Sequence, residues 1–190
     1  WAESPLDSLD LLDLFGVPVY STSFLETRQF RSPGSVTIID HETVSQSTGR
    51  TLTDLLSDEV PGIEIGWHFL TGSLIGARGI LIDSDAKTLL LVDGHNMNYR
   101  KHWGAIGGQI DHPFLGYVDR IEVVHGPGNL LHGSGAINGF LNLIPKTGLT
   151  FPGLSGSVEG GYPANEAGVE VGYGTAWPPN RHLYLYGAVG

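Results

Sequence analysis

Between Val118 and Gly148 the chain reads VDRIEVVHGPGNLLHGSGAINGFLNLIPKTG, an apolar run that enters a glycine-rich turn and leaves it into a second apolar run. This stretch constrains the fold more than any other. A phosphate-binding loop places its glycines between a strand and a helix N-terminus, where backbone N–H groups and the helix dipole hold an anion. Here the exit, Gly139-Phe140-Leu141-Asn142-Leu143-Ile144, is short, partly alternating and closed by Pro145, so it reads as a strand. Gly128 and Gly133 have the spacing of a nucleotide loop, yet Ser134 and Gly135 stand where lysine and serine or threonine are needed. The segment points away from nucleotide chemistry.

Composition agrees with a turn-rich β architecture. The chain has 28 glycines in 190 residues, well above the usual share of about 7%. Twenty acidic against ten basic residues give a formal charge of −10, which opposes a polyanionic partner, so no nucleic acid is expected. Without cysteine there is neither a disulfide framework nor a thiolate metal site. No run reaches the roughly 18 apolar residues of a membrane-spanning helix. No signal-peptide pattern opens the chain, and Trp1 is not an initiator methionine, so an upstream segment is expected to have been removed or left out.

In chain order, Leu6, Leu9, Leu12 and Phe15 recur every three residues and allow a short helix capped by Ser4 or Asp7; a mobile acidic terminus is the alternative. Val17, Val19 and the run Tyr20 to Ser23 suit an extended strand. Val36 to Ile39 is β-branched, Asp40 or Thr43 can cap a short helix, and Thr51 with Asp54 forms a capping-box start for Leu52, Leu55 and Leu56. Pro61-Gly62 turns the chain into Ile63-Glu64-Ile65. Strands are expected from Gly79 to Ile82 and from Thr88 to Val92, giving a small mixed sheet with helices on it, an α+β unit. Two aromatic-rich stretches, Gly66 to Gly72 and Asn96 to Gly104, read as loops.

After Pro152 the texture becomes strictly alternating. Leu154, Gly156, Val158, Gly160 and Tyr162 form one face of a first segment. Val169, Val171, Tyr173 and Thr175 oppose Glu170, Gly172 and Gly174 in a second, and Leu183, Leu185, Gly187 and Val189 oppose His182, Tyr184, Tyr186 and Ala188 in a third. Such segments are the signature of a transmembrane β-barrel wall. Three strands leave two open edges, which lipid does not tolerate, so the reading expects the barrel to continue beyond Gly190.

The candidate chemistry is sparse. Among eight histidines, His95 and His102, then His125 and His132, are seven apart, but no short ligand spacing occurs and no metal site is expected. Asp83-Ser84-Asp85 lacks the glycine and glutamate of a calcium loop and reads as a hairpin turn. No nucleophile motif is present, so neither an enzyme nor a cofactor is expected.

Asp119-Arg120-Ile121-Glu122-Val123, Gly126-Pro127-Gly128, Gly133-Ser134-Gly135-Ala136 and the strand Gly139 to Ile144 with Lys146 closely resemble the end of the plug domain of TonB-dependent outer-membrane receptors. Further blocks follow the family's order upstream: Pro33 to Ile39, Arg50 to Leu56, Val60-Pro61-Gly62-Ile63, Ala77-Arg78-Gly79, and Leu89 to Gly94. The resemblance covers about Ser32 to Gly148.

It implies an N-terminal periplasmic segment over 1–31, a plug over 32–148 and the first antiparallel strands of a truncated transmembrane β-barrel over 149–190, in a family whose barrels have roughly 22 strands. The implied function is energy-coupled uptake of a scarce ligand such as an iron chelate, haem or cobalamin. The implied partners are a TonB-type periplasmic energy transducer, the ligand, and outer-membrane lipid around the barrel. By position, Val17, Pro18, Val19, Tyr20, Ser21, Thr22 and Ser23 are the candidate TonB box, which pairs as a strand through main-chain hydrogen bonds. Pro18 lacks an N–H and would sit on the unpaired side; an ordinary linker strand is the alternative.

Trp67, His68, Phe69, Asn98, Tyr99, Arg100, His102 and Trp103 correspond to loops that floor the family's ligand site, or else pack against a surrounding wall. Arg78, Arg120, Glu122 and His125 are the candidate plug–barrel lock, because arginines of these blocks pair with carboxylates on the inner wall in the family. His125 stands where the second arginine is expected, and an imidazole with an ordinary pKa of about 6.5 is only partly charged at neutral pH. This departure, with an indistinct TonB box, motivates the alternative of a structural or assembly protein that reuses the receptor fold without transport.

Overall fold

The computed structural model describes residues 18–19, 27–28, 35–47, 51–68, 72–81, 87–98, 111, 114–126, 132, 135–161, 166–178 and 181–190. The expected helix around Leu6 to Phe15, the turn at Asp83-Ser84-Asp85, and the candidate residues Val17, Tyr20, Ser21, Thr22, Ser23, Phe69, Tyr99, Arg100, His102 and Trp103 lie outside them.

Two short helices form where the caps predict. Asp40 accepts the Thr43 N–H at 2.8 Å and starts α1, His41–Gln46. Thr51 and Asp54 exchange side-chain and backbone bonds in a full capping box at the start of α2, Leu52–Glu59. That box satisfies two of the amide groups a helix start leaves unpaired. The 3–4 spacing of Leu52, Leu55 and Leu56 then buries all three, and each contributes roughly 1.5–3 kcal/mol.

They pack on a five-stranded mixed sheet of order β3-β8-β9-β6-β7, made from Ser35–Asp40 (β3), Val118–His125 (β8), Gly139–Pro145 (β9), Thr88–Val92 (β6) and His95–Asn96 (β7). Strands β6 and β9 run parallel and the other pairs antiparallel. Strand alternation divides the residues between two faces. Ile39, Leu90, Ile121, Val123, Leu141 and Leu143 join the α2 leucines in one cluster, whereas Val36, Leu89, Leu91, Val124 and Phe140 form another. A strand with both faces covered reads as a continuous apolar run, as Thr88-Leu89-Leu90-Leu91-Val92 does.

Two smaller sheets are also present. Pro18–Val19 (β1) pairs with Thr27–Arg28 (β2), and Ile63–His68 (β4) pairs with Gly72–Ala77 (β5). The second hairpin corrects two expectations. The register carries β4 through Trp67↔Ser73 and His68↔Gly72, so Trp67 and His68 belong to a strand rather than a loop. The strand expected from Gly79 is instead β5, and the chain turns at Arg78 (φ 57°) and Gly79 (φ 76°), with Ile80 bridging back to Ala77. Glu64 accepts the Gly79 N–H at 2.7 Å and Gly62 O accepts the Arg78 N–H at 3.3 Å. These bonds hold the left-handed turn, and apolar periodicity carries no sign of them.

The last 38 residues contain a three-stranded antiparallel sheet, Gly153–Gly161 (β10), Glu166–Trp177 (β11) and Arg181–Val189 (β12). The register Val158↔Val169↔Val189 and Leu154↔Tyr173↔Leu185 gathers the apolar residues on one shared face. That face is exposed, with Leu154 at 78% and Val158 at 82%.

Candidate functional site

Polar groups gather near both termini of β8 in the five-stranded sheet. At the C-terminal end, Arg78 donates to the carbonyl oxygen of His125 at 3.3 Å. His125 is buried beside Ala77, Thr88, Asn138 and Phe140, and its Nε2 has no hydrogen-bond partner among the described residues. Burial, and secondarily the Arg78 charge, hold its imidazole below the ordinary histidine range. Asn138 pins this end by donating to Ile80 O at 3.2 Å, and its carbonyl accepts the Gly126 N–H.

Arg120 and Glu122 are two apart on β8 and therefore share a face. Arg120 Nε donates to Glu122 Oε1 at 3.1 Å and its Nη1 lies 3.5 Å from Asp119. Glu122 has no exposed surface, so the guanidinium offsets the cost of burying its charge. Of the four candidate lock residues, the fold thus joins Arg78 to His125 and Arg120 to Glu122, at different points along β8.

At the N-terminal end of β8, the segment Phe114-Leu115-Gly116-Tyr117 meets the face of the three-stranded sheet that carries Glu170 and Tyr186. Glu170, only 6% exposed, receives three hydrogen bonds: from Gly116 N–H at 3.2 Å, Ser157 Oγ at 3.0 Å and Tyr186 Oη at 2.6 Å. A Cβ on Gly116 would collide with the carboxylate, so any side chain there would push Glu170 away from the amide. The Tyr117 and Tyr186 rings lie 5.5 Å apart, and the Phe114 ring covers Gly168 and Gly190, where a Cβ would strike it. Leu115 and Tyr117 both pack against the cluster that holds the α2 leucines.

Lys146 lies beside this seam. Its amide N–H bonds Tyr117 O at 2.8 Å and its ammonium sits 4.7 Å from the centre of the Phe151 ring, against which His41 packs edge-on. Burial lowers the Lys146 pKa, with the charges of Glu170 and Asp119 acting in the opposite sense. None of Glu170, Gly116, Phe114, Tyr117 and Tyr186 was selected by sequence reasoning. The available signal was Glu170 itself, a carboxylate on the face opposite Val169 and Val171.

The remaining candidates divide. Trp67 stands 74% exposed on the β4–β5 hairpin. Asn98 is structural: its amide accepts from Leu90 N–H at 2.8 Å and donates to Thr88 O at 2.9 Å, acting as one more rung on the β6 edge. Pro18 and Val19 lie in β1, paired with Arg28 and Thr27.

A family model described as the TonB-dependent receptor plug domain matches residues 28–140. The chain is 32% identical over 136 residues to the vitamin B12 transporter BtuB of Vibrio vulnificus, covering 67% of this chain and 21% of that protein. It is 31% identical over 133 residues to a hemin receptor of Yersinia enterocolitica, covering 67% and 18%. The chain thus spans about a fifth of the length of these relatives. The fold resembles the pyoverdine outer membrane receptor FpvA from Pseudomonas aeruginosa PAO1, with a TM-score of 0.67 and 20% identity over 85% of this chain and 22% of that one. It also resembles the alcaligin outer membrane receptor FauA from Bordetella pertussis, with a TM-score of 0.62 and 19% identity over 90% and 28%.

Proposed function

The chain belongs to the TonB-dependent receptor family, whose plug-domain model spans more than half of it, and on that premise we propose that it is the N-terminal part of an outer-membrane receptor for energy-coupled ligand uptake. The family is one of receptors rather than enzymes. In this reading residues 1–31 are a periplasmic segment, 32–148 the plug, and 149–190 the first strands of the barrel wall. The observation that carries it is the two-sided character of β10–β12. The inward face presents Glu170, Ser157 and Tyr186 to the plug, while Leu154, Val158, Val171 and Leu185 form an exposed apolar face. A strand polar toward a plug and apolar on its other side suits a wall between lumen and lipid.

Ligand would be captured at the outer face, with the exposed Trp67 hairpin among the contacting elements. A TonB-type transducer would pull on the segment Val17 to Ser23 from the periplasm. Strand addition there would act on a segment that already pairs with β2 at Pro18 and Val19. Two measurements test the reading: binding of a peptide spanning residues 17–23 to a transducer's C-terminal domain, and energy-dependent accumulation of cyanocobalamin or haemin by cells producing the protein. Binding with accumulation is expected. Absence of both assigns the chain to the non-transporting, structural alternative.

A further inference from the structure

The seam around Glu170 lies beside the covalent join between plug and wall, and that join has no slack. Strand β9 ends at Pro145, which pairs with Val118, and β10 begins at Gly153. Between them, Lys146 is bonded to Tyr117 O, and Thr147 and Thr150 bond each other through both side chains and main chain. Phe151 N–H closes on Thr147 O at 2.9 Å. Gly148 lies so close to the carbonyls of Thr175 and Leu183 that a Cβ would collide with both. The start of β8 is therefore tethered twice, by the chain and by Glu170. Its other end, at His125, lies seven residues on, or about 23 Å.

We propose that Glu170 is the anchoring residue of the plug: it seats Phe114 to Tyr117 on the wall, and this seam stays closed while the rest of the plug moves. The inference rests on the reading of β10–β12 as barrel wall. Glu170 acts through Gly116, Ser157 and Tyr186, so it is a positioning residue that touches no ligand. An anchor of this kind makes β8 and β9 the last strands to yield. Edge strand β3, paired only with β8 among the described strands, is the first to peel when force arrives from the N-terminal segment.

Two experiments on the intact protein in a membrane or detergent test this without a ligand or transducer. In hydrogen exchange, Glu170→Ala should speed exchange at residues 114–118 about tenfold, Glu170→Gln should restore part of the protection, and β6 should be unchanged. Unchanged exchange at 114–118 in Glu170→Ala would overturn the anchor. The chain has no cysteine, so Phe114→Cys with Gly168→Cys places a single pair of thiols across the seam, which a short bis-maleimide can join. In pulling from the N-terminus, the first rupture force should be the same with that pair cross-linked or free. A first rupture that strengthens on cross-linking would show that the seam opens first and would sink the proposal. Failure of the uptake assay with both of these results intact would count against the receptor reading and leave the anchor standing.

Discussion

Arg78 donates to the main-chain carbonyl of His125 across 47 residues of sequence. The bond ties a left-handed turn to the end of β8 and sets a permanent cation beside a buried, neutral imidazole. Protonating His125 would put a charge on a buried ring next to the Arg78 guanidinium, which belongs to an exposed residue.

The resulting pH dependence has a definite sign. The folded-state pKa of His125 is depressed, so below about 6.5 the unfolded chain binds the proton more readily. The stability associated with the neutral ring is full above that pH and is lost as pH falls toward the folded-state value. His41, lowered by burial first and Lys146 second, adds in the same direction. Thermal midpoints should decrease from about pH 8 to about pH 5, and His125→Asn should flatten that decrease. An unaltered slope in the variant would remove His125 from the account.

Gly139 has φ 150°, and a Cβ there would strike the Val124 carbonyl. That carbonyl belongs to the paired strand β8, so it cannot swing aside without breaking the ladder. Gly139→Ala should destabilise the plug by about 1–3 kcal/mol in denaturant titration. A loss below about 0.5 kcal/mol would show that the strand end relaxes freely.

Asn98→Ala removes two bonds from the β6 edge and leaves the N–H of buried Leu90 unpaired. The expected cost is about 1–3 kcal/mol. Asn98→Asp keeps the acceptor for Leu90 and should recover part of it. Equal losses in both variants would argue that the donor bond to Thr88 is the one that counts.

Val171 is 49% exposed on the outward face and pairs with Gly156 and Gly187. If this face meets lipid, Val171→Arg should cost roughly 2–4 kcal/mol near the bilayer midplane, read as reduced insertion into vesicles. Glu, being less penalised, should lower insertion less. Normal insertion of the arginine variant would contradict a lipid-facing wall.

Local chemistry made much of the fold legible. Asp40, Thr51 and Asp54 announce helix starts through bonds spanning three residues. Strand alternation separates Leu154, Val171 and Leu185 from Glu170 and Tyr186 without any knowledge of neighbours. The turn at Arg78 was not legible, because Glu64, fifteen residues away, holds it. Asn98 read as part of a ligand loop for a related reason: its partners Leu90 and Thr88 come within reach only once β6 and β7 have paired.

The sequence by itself determined the family, the cap positions and the placing of Glu170 on the face opposite Val169, Val171 and Tyr173, since each is a property of short windows of residues. Only the tertiary structure decided what these residues touch. Glu170 and Gly116 are 54 residues apart, and no local preference encodes a contact between a carboxylate and a backbone amide. That contact exists because the chain leaving β9 places β10–β12 beside the start of β8, and packing then brings the Gly116 N–H to the buried Glu170 carboxylate.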